Sequence, residues 1–347
     1  MASEGKQARI GFIGCGRHAT RTLYPNLPLI DEIDLVAVAD LQVALAERNA
    51  RRFGARRFYD SADALLEGEP DLDGVIVVGI PQMMQPIGEK VLRERGIPIF
   101  VEKPPAINAE RAEEFAARAA EAGTWGMVGF MKRFSVAYGL AKQTAEDPSF
   151  GPISMLDGKF ANGDYNPLWG IESGGLSYLT GQAVHIFDLI QYFAGPVGEV
   201  YARYFERSPA NHGFAVTVTF ESGALASLNL NSFESWEGFD EWFCITGVHN
   251  YVVVEDMLYV NVHREKGWTE MPAEMQLDNL SLAYKPTAIR VPDMRNLMGY
   301  TGELREFARC ILEGRRPGPD LEAGAAAMRV GQAIWDSSQS GRAIRLA

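Results

Sequence analysis

The stretch Arg9–Ala19, "RIGFIGCGRHA", decides the fold of the first part of the chain. Its apolar beginning is typical of a buried strand, and the pattern places Gly11, Gly14 and Gly16 directly after that strand and ahead of a helix. Glycines after a strand and ahead of a helix allow a tight turn, and they let backbone N–H groups approach a pyrophosphate. The stretch therefore predicts a dinucleotide-binding turn with the spacing GxxGxG.

The following hundred or so residues repeat one pattern. The apolar, strand-like runs are "DLVAVAD", "GVIVVGI" and "IPIFVE", and the segments with helical spacing are "QVALAERNARRFG", "QPIGEKVLRERG" and "NAERAEEFAARAAEAG". Strands and helices that alternate at intervals of ~25–30 residues indicate a parallel sheet with helices on both faces. We assign residues 1–128 to a dinucleotide-binding domain of the Rossmann type.

The sequence after residue 128 has a different hydrophobic pattern. Large apolar residues alternate with small or polar ones in "FAVTVTFESGALASLNLNSF", which is typical of an antiparallel hairpin, and "EWFCIT", "NYVVVED" and "MLYVNVH" continue as strands. A helix precedes them in "LTGQAVHIFDLIQYFAG", and two helices around a Gly/Pro loop end the chain. We predict an α/β protein whose C-terminal α+β domain, residues 129–347, has a large, mostly antiparallel open sheet for substrate binding and oligomerisation. Its terminal helices are free to pack back on the first domain.

Composition limits the possible partners. The 347 residues carry a formal net charge of -12, which argues against nucleic acid and membrane surfaces because both select basic patches. The three cysteines are far apart, so neither a disulfide framework nor a CxxC metal site is indicated, and the five histidines show no ligand spacing. We expect a protein of the reducing cytoplasm, without signal peptide, membrane span or metal, that binds a small molecule.

Asp40 ends the second predicted strand, 24 residues after Gly16. A carboxylate there accepts hydrogen bonds from an adenosine ribose, whereas the 2′-phosphate of NADP would meet uncompensated negative charge because nothing basic follows in "ADLQ". We therefore predict NAD rather than NADP. The alternative for Asp40 is a plain helix N-cap.

A second segment, "FVEKPPA" (Phe100–Ala106), places a charged pair where an apolar strand stops. Proline donates no ladder hydrogen bond and restricts the residue before it, so the strand releases the chain at Pro104. Lys103 is thus held at the carboxyl end of a parallel strand, the edge where open α/β sheets bind ligands. An amine at this place is usable as a general base or acid, and the alternative is a solvated surface charge.

Taken together, "GFIGCGRHA", "VAVAD", "GIP", "VEKPPA" and "GFMKRF" resemble, in order and spacing, the glucose-fructose oxidoreductase / inositol 2-dehydrogenase / rhizopine-catabolism (Gfo/Idh/MocA) family. The resemblance continues through "SGGLSYLTGQAVHIFDLIQYFAG" to "SSQSGRAIRL". It implies tight NAD(P) binding, redox chemistry at a hydroxyl carbon of a sugar or cyclitol, and Lys103 and His185 as catalytic residues. The cofactor positions it implies are Gly11, Gly14, Gly16, Arg17, His18, Asp40, Ile80, Pro81, Glu102 and Lys103.

The chain departs from the family pattern in two places. The family often has TPxxxH where this chain has "IPQMMQ", with Ile80 at the Thr position and Gln85 at the His position. The family usually has an Asp four residues before the histidine that His185 matches, on the same helical face, and this chain has Gly181 there.

Four interpretations of the helix with Gly181 are open. Lys103 and His185 suffice for catalysis, or Thr180 or Gln182 positions the substrate. Alternatively, Asp188 orients the imidazole of His185, or His185 is only a core histidine.

Further candidate substrate residues lie in the second domain. Arg133 in "GFMKRF" and Trp169 in "NPLWG" match positions that the resemblance puts near the site, and Tyr178 is a candidate cleft residue. Lys132 is equally well interpreted as a solvated charge, and Trp236 and Trp242 as core or subunit packing. The predicted substrate residues are Arg133, Trp169, Tyr178, Gln182 and His185.

The leading hypothesis is an NAD-dependent dehydrogenase that acts on a secondary hydroxyl of a sugar, glycoside or cyclitol. Lys103 serves as general base or acid, and His185 hydrogen-bonds the reacting oxygen. One alternative is a lyase or epimerase in which NAD is used catalytically, and another is an NAD-binding regulator without turnover. We expect a homodimer or homotetramer.

Overall fold

The computed structural model describes residues 5–238, 240–265, 281–284 and 297–346. The strands of the first sheet are β1 Ala8–Ile13, β2 Ile33–Ala39, β3 Arg57–Tyr59, β4 Gly74–Val77, β5 Ile99–Val101 and β6 Gly126–Val128. Those of the second are β7 Met155–Ala161, β8 Val197–Ser208, β9 Asn211–Phe220, β10 Leu225–Asn231, β11 Asp240–Thr246, β12 Asn250–Glu255, β13 Tyr259–Arg264, β14 Ser281–Tyr284 and β15 Ile344–Arg345.

The α-helices of the described residues are α1 Val43–Phe53, α2 Ala62–Gly68, α3 Pro81–Arg95, α4 Ala109–Glu121, α5 Val136–Glu146, α6 Gly174–Tyr178, α7 Val184–Ala194, α8 Tyr300–Glu313 and α9 Leu321–Ser340. Single π-helical turns occur at Ala19–Leu23 and Leu179–Ala183, and 3₁₀ turns at Tyr24–Leu29, Met131–Phe134 and Pro148–Phe150. None of the helices described is both long enough and apolar enough to cross a lipid bilayer.

The chain divides into two compact units. The first unit is Met1–Met131 with Gly299–Ala326, and the second is Lys132–Met298 with Ala327–Ala347. The assignment of residues 1–128 and 129–347 as separate domains stays a prediction.

The first unit is built on a six-stranded sheet with the order β3-β2-β1-β4-β5-β6 in the described residues. Every pairing in it is parallel, and β4 and β5 are buried throughout. Parallel strands covered on both faces give continuous apolar runs, which is why "GVIVVGI" and "IPIFVE" lack polar alternation. The order reverses at β1, which is the switch point where doubly wound sheets bind ligands. The structure thus confirms the predicted Rossmann architecture.

The segment after the glycine turn differs from the prediction. A regular helix was expected there, but the chain makes one π turn at Ala19–Leu23 and then 3₁₀ turns at Tyr24–Leu29. Pro25 and Pro28 lie in the second part, and proline supplies no N–H for an α-helical hydrogen bond. The glycine turn is therefore followed by a short π-helical segment and a short 3₁₀-helical segment instead of one α-helix.

The second unit contains a nine-stranded sheet with the order β14-β13-β12-β11-β7-β10-β9-β8-β15 in the described residues. All its pairings are antiparallel except that of β10 with β7, which confirms the predicted, mostly antiparallel sheet. The strands β7 and β8 were not predicted, because β7 carries two charged residues and β8 carries four. The helix α7 is almost entirely buried, as its apolar residues all round require.

Candidate active site

In the glycine turn after β1, one position accepts only glycine, and the space around a second position is open. Gly14 has φ +106°, and a Cβ there would lie 1.9 Å from the carbonyl oxygen of Val78, so no other residue fits. Gly16 is exposed, and nothing lies within 4 Å of the position that its Cβ would occupy. The turn therefore leaves its backbone open to a ligand at Gly16.

Gly11 serves the fold and not the turn. It lies inside β1 and is buried, and a Cβ there would lie 2.8 Å from Leu72 and 3.0 Å from Leu65. The glycine lets these side chains pack closely against the strand. Its predicted contact with a cofactor has no support in this position.

The carboxylate of Asp40 is bonded to two backbone N–H groups. Oδ2 accepts from Cys15 N at 2.7 Å, and Oδ1 accepts from Gln42 N at 2.8 Å. Both the turn and the start of the next helical segment are thus tied to one side chain. Each oxygen still has a lone pair for a ribose hydroxyl, so the capping and ribose-binding interpretations are compatible.

The carboxyl end of β5 is linked to the glycine turn by Glu102. Its carboxylate is buried, with Oε1 lying 3.2 Å from His18 Nε2 and Oε2 accepting from the backbone N–H of Lys103 at 3.0 Å. Lys103 follows at the strand end and is half-buried, and its peptide bond to Pro104 is cis. The predicted residues His18, Glu102 and Lys103 thus lie together, and His18 and Arg17 are both exposed.

The residues after β4 begin a helix. Ile80 is the N-cap of α3 and is 52% exposed, and Pro81 is its first residue, where a missing N–H costs nothing. Gln85, at the position of the family's His, is buried and donates to Glu89 Oε1 at 2.9 Å. The isoleucine offers no polar group to a cofactor, so the departure from the family pattern removes a hydrogen-bonding side chain here.

In the second unit, His185 is buried in the first turn of α7, just after the π turn at Leu179–Ala183. Single π turns are frequent at functional sites. Gly181 lies in that turn, and a Cβ there would lie 2.2 Å from the hydroxyl oxygen of Tyr165 and 3.0 Å from the ring of Trp169. The structure therefore brings the predicted residues Trp169 and His185 to one helical segment, together with Tyr165, which sequence reasoning missed.

Asp188 is bonded to Arg133, which argues against its orienting His185. The pair is bidentate, with Arg133 Nε to Oδ2 at 2.8 Å and Nη2 to Oδ1 at 2.6 Å, and the guanidinium lies 4.7 Å from the ring centre of Tyr192. Burial raises the pKa of the Asp188 carboxyl, although the guanidinium beside it acts in the opposite direction. Arg133 thus belongs to a buried ion pair, and its predicted substrate role stays a prediction.

Further predictions concern the same unit. Tyr178 is fully buried and donates to the carbonyl oxygen of Phe160 at 2.8 Å, so its assignment as a cleft residue is wrong. Trp236 and Trp242 are more than one third exposed, so neither is a core residue. Lys132 is not a solvated charge, since it is buried against Glu241. Gln182 is half-buried and Thr180 buried, both in the π turn.

Two residues of the site region were missed. Tyr165 directly precedes the quoted "NPLWG", and the glycine at 181 was the signal that another group fills its space. Glu303 in α8 is fully buried, and burial together with nearby Glu102 raises its pKa well above the usual value. Among the described residues, no group of three or more His, Cys, Asp or Glu side chains is placed to hold a metal ion.

Comparisons with known proteins cover nearly the whole chain. Residues 8–130 match the Gfo/Idh/MocA model described as "Oxidoreductase family, NAD-binding Rossmann fold", and residues 148–346 match "Oxidoreductase family, C-terminal alpha/beta domain". Scyllo-inositol 2-dehydrogenase (NAD(+)) of Bacillus subtilis is 25% identical over 356 residues, with 98% of this chain and 96% of that protein covered. Myo-inositol 2-dehydrogenase of Thermotoga maritima is 25% identical over 346 residues, with 97% and 98% covered.

The fold is shared with solved structures. A dehydrogenase from Chromobacterium violaceum superimposes with a TM-score of 0.87 at 24% identity, covering 97% of this chain and 96% of that one. Both family models, one for each half, agree with the motifs and with the glycine turn, Asp40 and the β5 end described above. The chain therefore belongs to the Gfo/Idh/MocA family of NAD-dependent oxidoreductases.

Proposed function

We propose that this protein interconverts a secondary hydroxyl and a ketone on a sugar, glycoside or cyclitol. Family membership supports redox chemistry at a CH–OH group, and the two relatives described above are both named inositol 2-dehydrogenases. Nothing in those names supports the alternative of a regulator without turnover. A cyclitol is therefore the first substrate class to test, followed by sugars and glycosides.

The residues at the switch point of the first sheet fit a dinucleotide. The open backbone at Gly16 and the glycine-only turn at Gly14 suit a pyrophosphate, and the half-buried carboxylate of Asp40 suits ribose hydroxyls. NAD, when bound, supplies the hydride acceptor or donor. His18 and Glu102 border the same edge of the sheet and would complete the binding region.

The position of Lys103 carries the proposal. It ends β5 in the same sheet as the glycine turn, and the adjoining Glu102 is bonded both to its backbone N–H and to His18. During oxidation the unprotonated amine of Lys103 takes the proton of the substrate hydroxyl, and during reduction the ammonium returns it. The Glu102 carboxylate fixes the backbone from which the lysine side chain starts.

His185 is the second residue of the proposed mechanism. Its imidazole hydrogen-bonds the reacting oxygen and so holds the hydroxyl for proton transfer. Its place directly after a π turn, a feature that is frequent at functional sites, supports a functional role over that of an ordinary core histidine.

Replacing Lys103 tests the proposal. We expect Lys103→Ala to bind NAD as the natural protein does but to lose about 10²–10⁴-fold in kcat, the usual contribution of a general base. Turnover is measured as reduced cofactor formed with a panel of inositols, sugars and glycosides, and NAD binding is measured by calorimetry. Lys90→Ala is the matched control, because Lys90 lies on α3 of the same unit and pairs with Asp63 at the surface.

The outcomes separate the hypotheses. Unchanged kcat in Lys103→Ala would show that another group moves the proton. Product formation by the natural protein without net reduced cofactor would favour the redox-neutral lyase or epimerase.

A homo-oligomer is part of the same proposal. Exposed apolar side chains on neighbouring strands of the second sheet support it, since a partner subunit would cover them. They are Met155, Trp242 and Tyr251.

A further inference from the structure

Four tyrosines are buried among the described residues, and one of them differs from the others. The hydroxyls of Tyr24, Tyr138 and Tyr178 each lie within hydrogen-bond distance of a protein group. Tyr165 is 8% exposed, and its hydroxyl makes no hydrogen bond to any residue that the structure describes. Burial alone raises the pKa of this phenol to about 12. This hydroxyl is not among the fully buried polar atoms that lack a partner in the described residues, so its oxygen is open to a ligand.

The position of this hydroxyl is fixed by its neighbours. Its oxygen occupies space that the Cβ of any residue but glycine would need at position 181, with 2.2 Å between the two positions. The ring of Tyr165 lies edge-on to Tyr178 with 5.7 Å between ring centres, and Trp236 lies 6.2 Å away. His212 contacts the Tyr165 carbonyl oxygen at 2.9 Å, and Tyr165 N donates to Ala210 O at 2.8 Å. The hydroxyl is therefore held in place by ring packing and backbone bonds.

The hydroxyl lies against the helical segment that leads into the proposed catalytic histidine. Gly181, next to the phenol oxygen, is in the π turn Leu179–Ala183, and His185 follows in the first turn of α7. The strained backbone of Trp169, with φ +56° at a residue other than glycine, holds its ring against the same glycine. A phenol and an indole ring thus border the π turn that directly precedes α7, the helix that carries His185.

We propose that the Tyr165 hydroxyl binds a hydroxyl group of the polyol substrate beside His185. This rests on the proposed function and names the residue that takes the place of the carboxylate which the family resemblance implies at position 181. A phenol both donates and accepts hydrogen bonds and stays neutral when buried, so it suits a neutral ring hydroxyl. The adjoining aromatic ring of Trp169 suits the C–H face of the same ring.

Tyr165→Phe is the direct test, because it removes one oxygen and keeps the ring. We expect the KM for the polyol to rise about threefold to tenfold, as for the loss of one hydrogen bond made equally in ground and transition states, with kcat changed less. The rise in Tm that saturating polyol gives the NAD-saturated protein should shrink accordingly. The Tm without polyol should stay unchanged, because the hydroxyl bonds to no described protein group.

Gly181→Ala tests whether the position of the Tyr165 hydroxyl matters for polyol binding. The new methyl group would displace the phenol oxygen, so the polyol KM should rise as in Tyr165→Phe, and the two substitutions together should raise it no further than one alone. Gly175 and Tyr204 give a matched control, because a Cβ at Gly175 would lie 2.9 Å from the Tyr204 hydroxyl, itself bonded to Glu206. Gly175→Ala and Tyr204→Phe should leave the polyol KM unchanged.

Each outcome decides between the two proposals. Turnover by the natural protein with an unchanged polyol KM in Tyr165→Phe, or a marked fall in its Tm without polyol, overturns the role of Tyr165 and leaves the proposed function standing. Polyol stabilisation that is lost in Tyr165→Phe, without net or redox-neutral turnover, overturns the proposed function and supports the hydroxyl as a ligand contact. Neither turnover nor stabilisation with any polyol overturns both.

Discussion

Glu241 and Glu303 are both buried, one in each compact unit, and their surroundings are opposite. Glu241 lies in β11, and its two oxygens bind the ammonium group of Lys132 and the hydroxyl of Tyr138. Glu303 lies in α8, and neither of its oxygens has a hydrogen-bond partner among the described residues. Burial alone therefore does not decide the charge of a carboxyl group; the groups that contact it do.

The two sites differ in what they require of their neighbours. Lys132 is buried with Glu241, and its ammonium also lies 3.1 Å from Met257 Sδ and 5.0 Å from the ring centre of Phe160. Such a pair is costly to break, because the remaining charge is left in an apolar region. Glu303 has no such partner, so its folded state favours the protonated, neutral form.

Removing the partner of Glu241 should have the largest effect. We expect Lys132→Met to lower the free energy of unfolding by about 3–5 kcal/mol, the usual cost of leaving one buried charge unpaired. Denaturation in urea measures it.

A second substitution checks the cause. Adding Glu241→Gln to Lys132→Met should recover part of the loss, because it removes the stranded charge. A double variant that is as unstable as the sum of the two single variants would mean that the two side chains contribute independently.

The Arg133–Asp188 pair is intermediate, since one partner satisfies both oxygens of a buried carboxylate. We expect Arg133→Lys to cost about 2 kcal/mol of unfolding free energy, because lysine keeps the charge but not the bidentate geometry. Urea denaturation measures this change too. A cost as large as that of Lys132→Met would show that geometry matters as much as charge in this unit.

The sequence was sufficient for the architecture because each element has a local signature. The apolar strand and the glycines of "RIGFIGCGRHA" reflect a sheet that is buried on both faces. The alternation in "FAVTVTFESGALASLNLNSF" reflects a sheet that is buried on one face. Lys103 was placed at a strand end for the same reason, since Pro104 marks where the strand stops.

The partners within the candidate site were beyond sequence reasoning. Tyr165 and Gly181 are 16 positions apart in sequence, and only tertiary packing brings the phenol over the glycine. Likewise, Arg133 and Asp188 are 55 positions apart, so the choice of Asp188 between a histidine and an arginine has no local signal. Glu303 and Glu306 are one turn apart in the same helix, and residue type alone does not indicate which one is buried.

Replacing the neutral Glu303 should have the smallest effect on the free energy of unfolding, and the direction of that effect is the most distinctive. Because its folded-state pKa lies above the usual 4.5, the folded protein holds a proton that the unfolded chain has lost, so stability falls as pH rises from that value towards the folded-state pKa. Glu303→Gln imitates the protonated form, and we expect it to raise the free energy of unfolding at neutral pH by at least about 1 kcal/mol, the equivalent of one pKa unit.

The same substitution one turn later should act in the opposite direction. Hydrogen bonds from Arg315 lower the pKa of Glu306, so its stabilisation is present above the usual pKa and is lost as pH falls through the lowered value. Glu306→Gln should therefore destabilise the protein at neutral pH, and both variants should converge on the natural protein in acid. Urea denaturation from about pH 8 down to below the lowered pKa of Glu306 measures both. If Glu303→Gln destabilises the protein at neutral pH, the Glu303 carboxylate is ionised and paired, and the contrast with Glu241 is wrong.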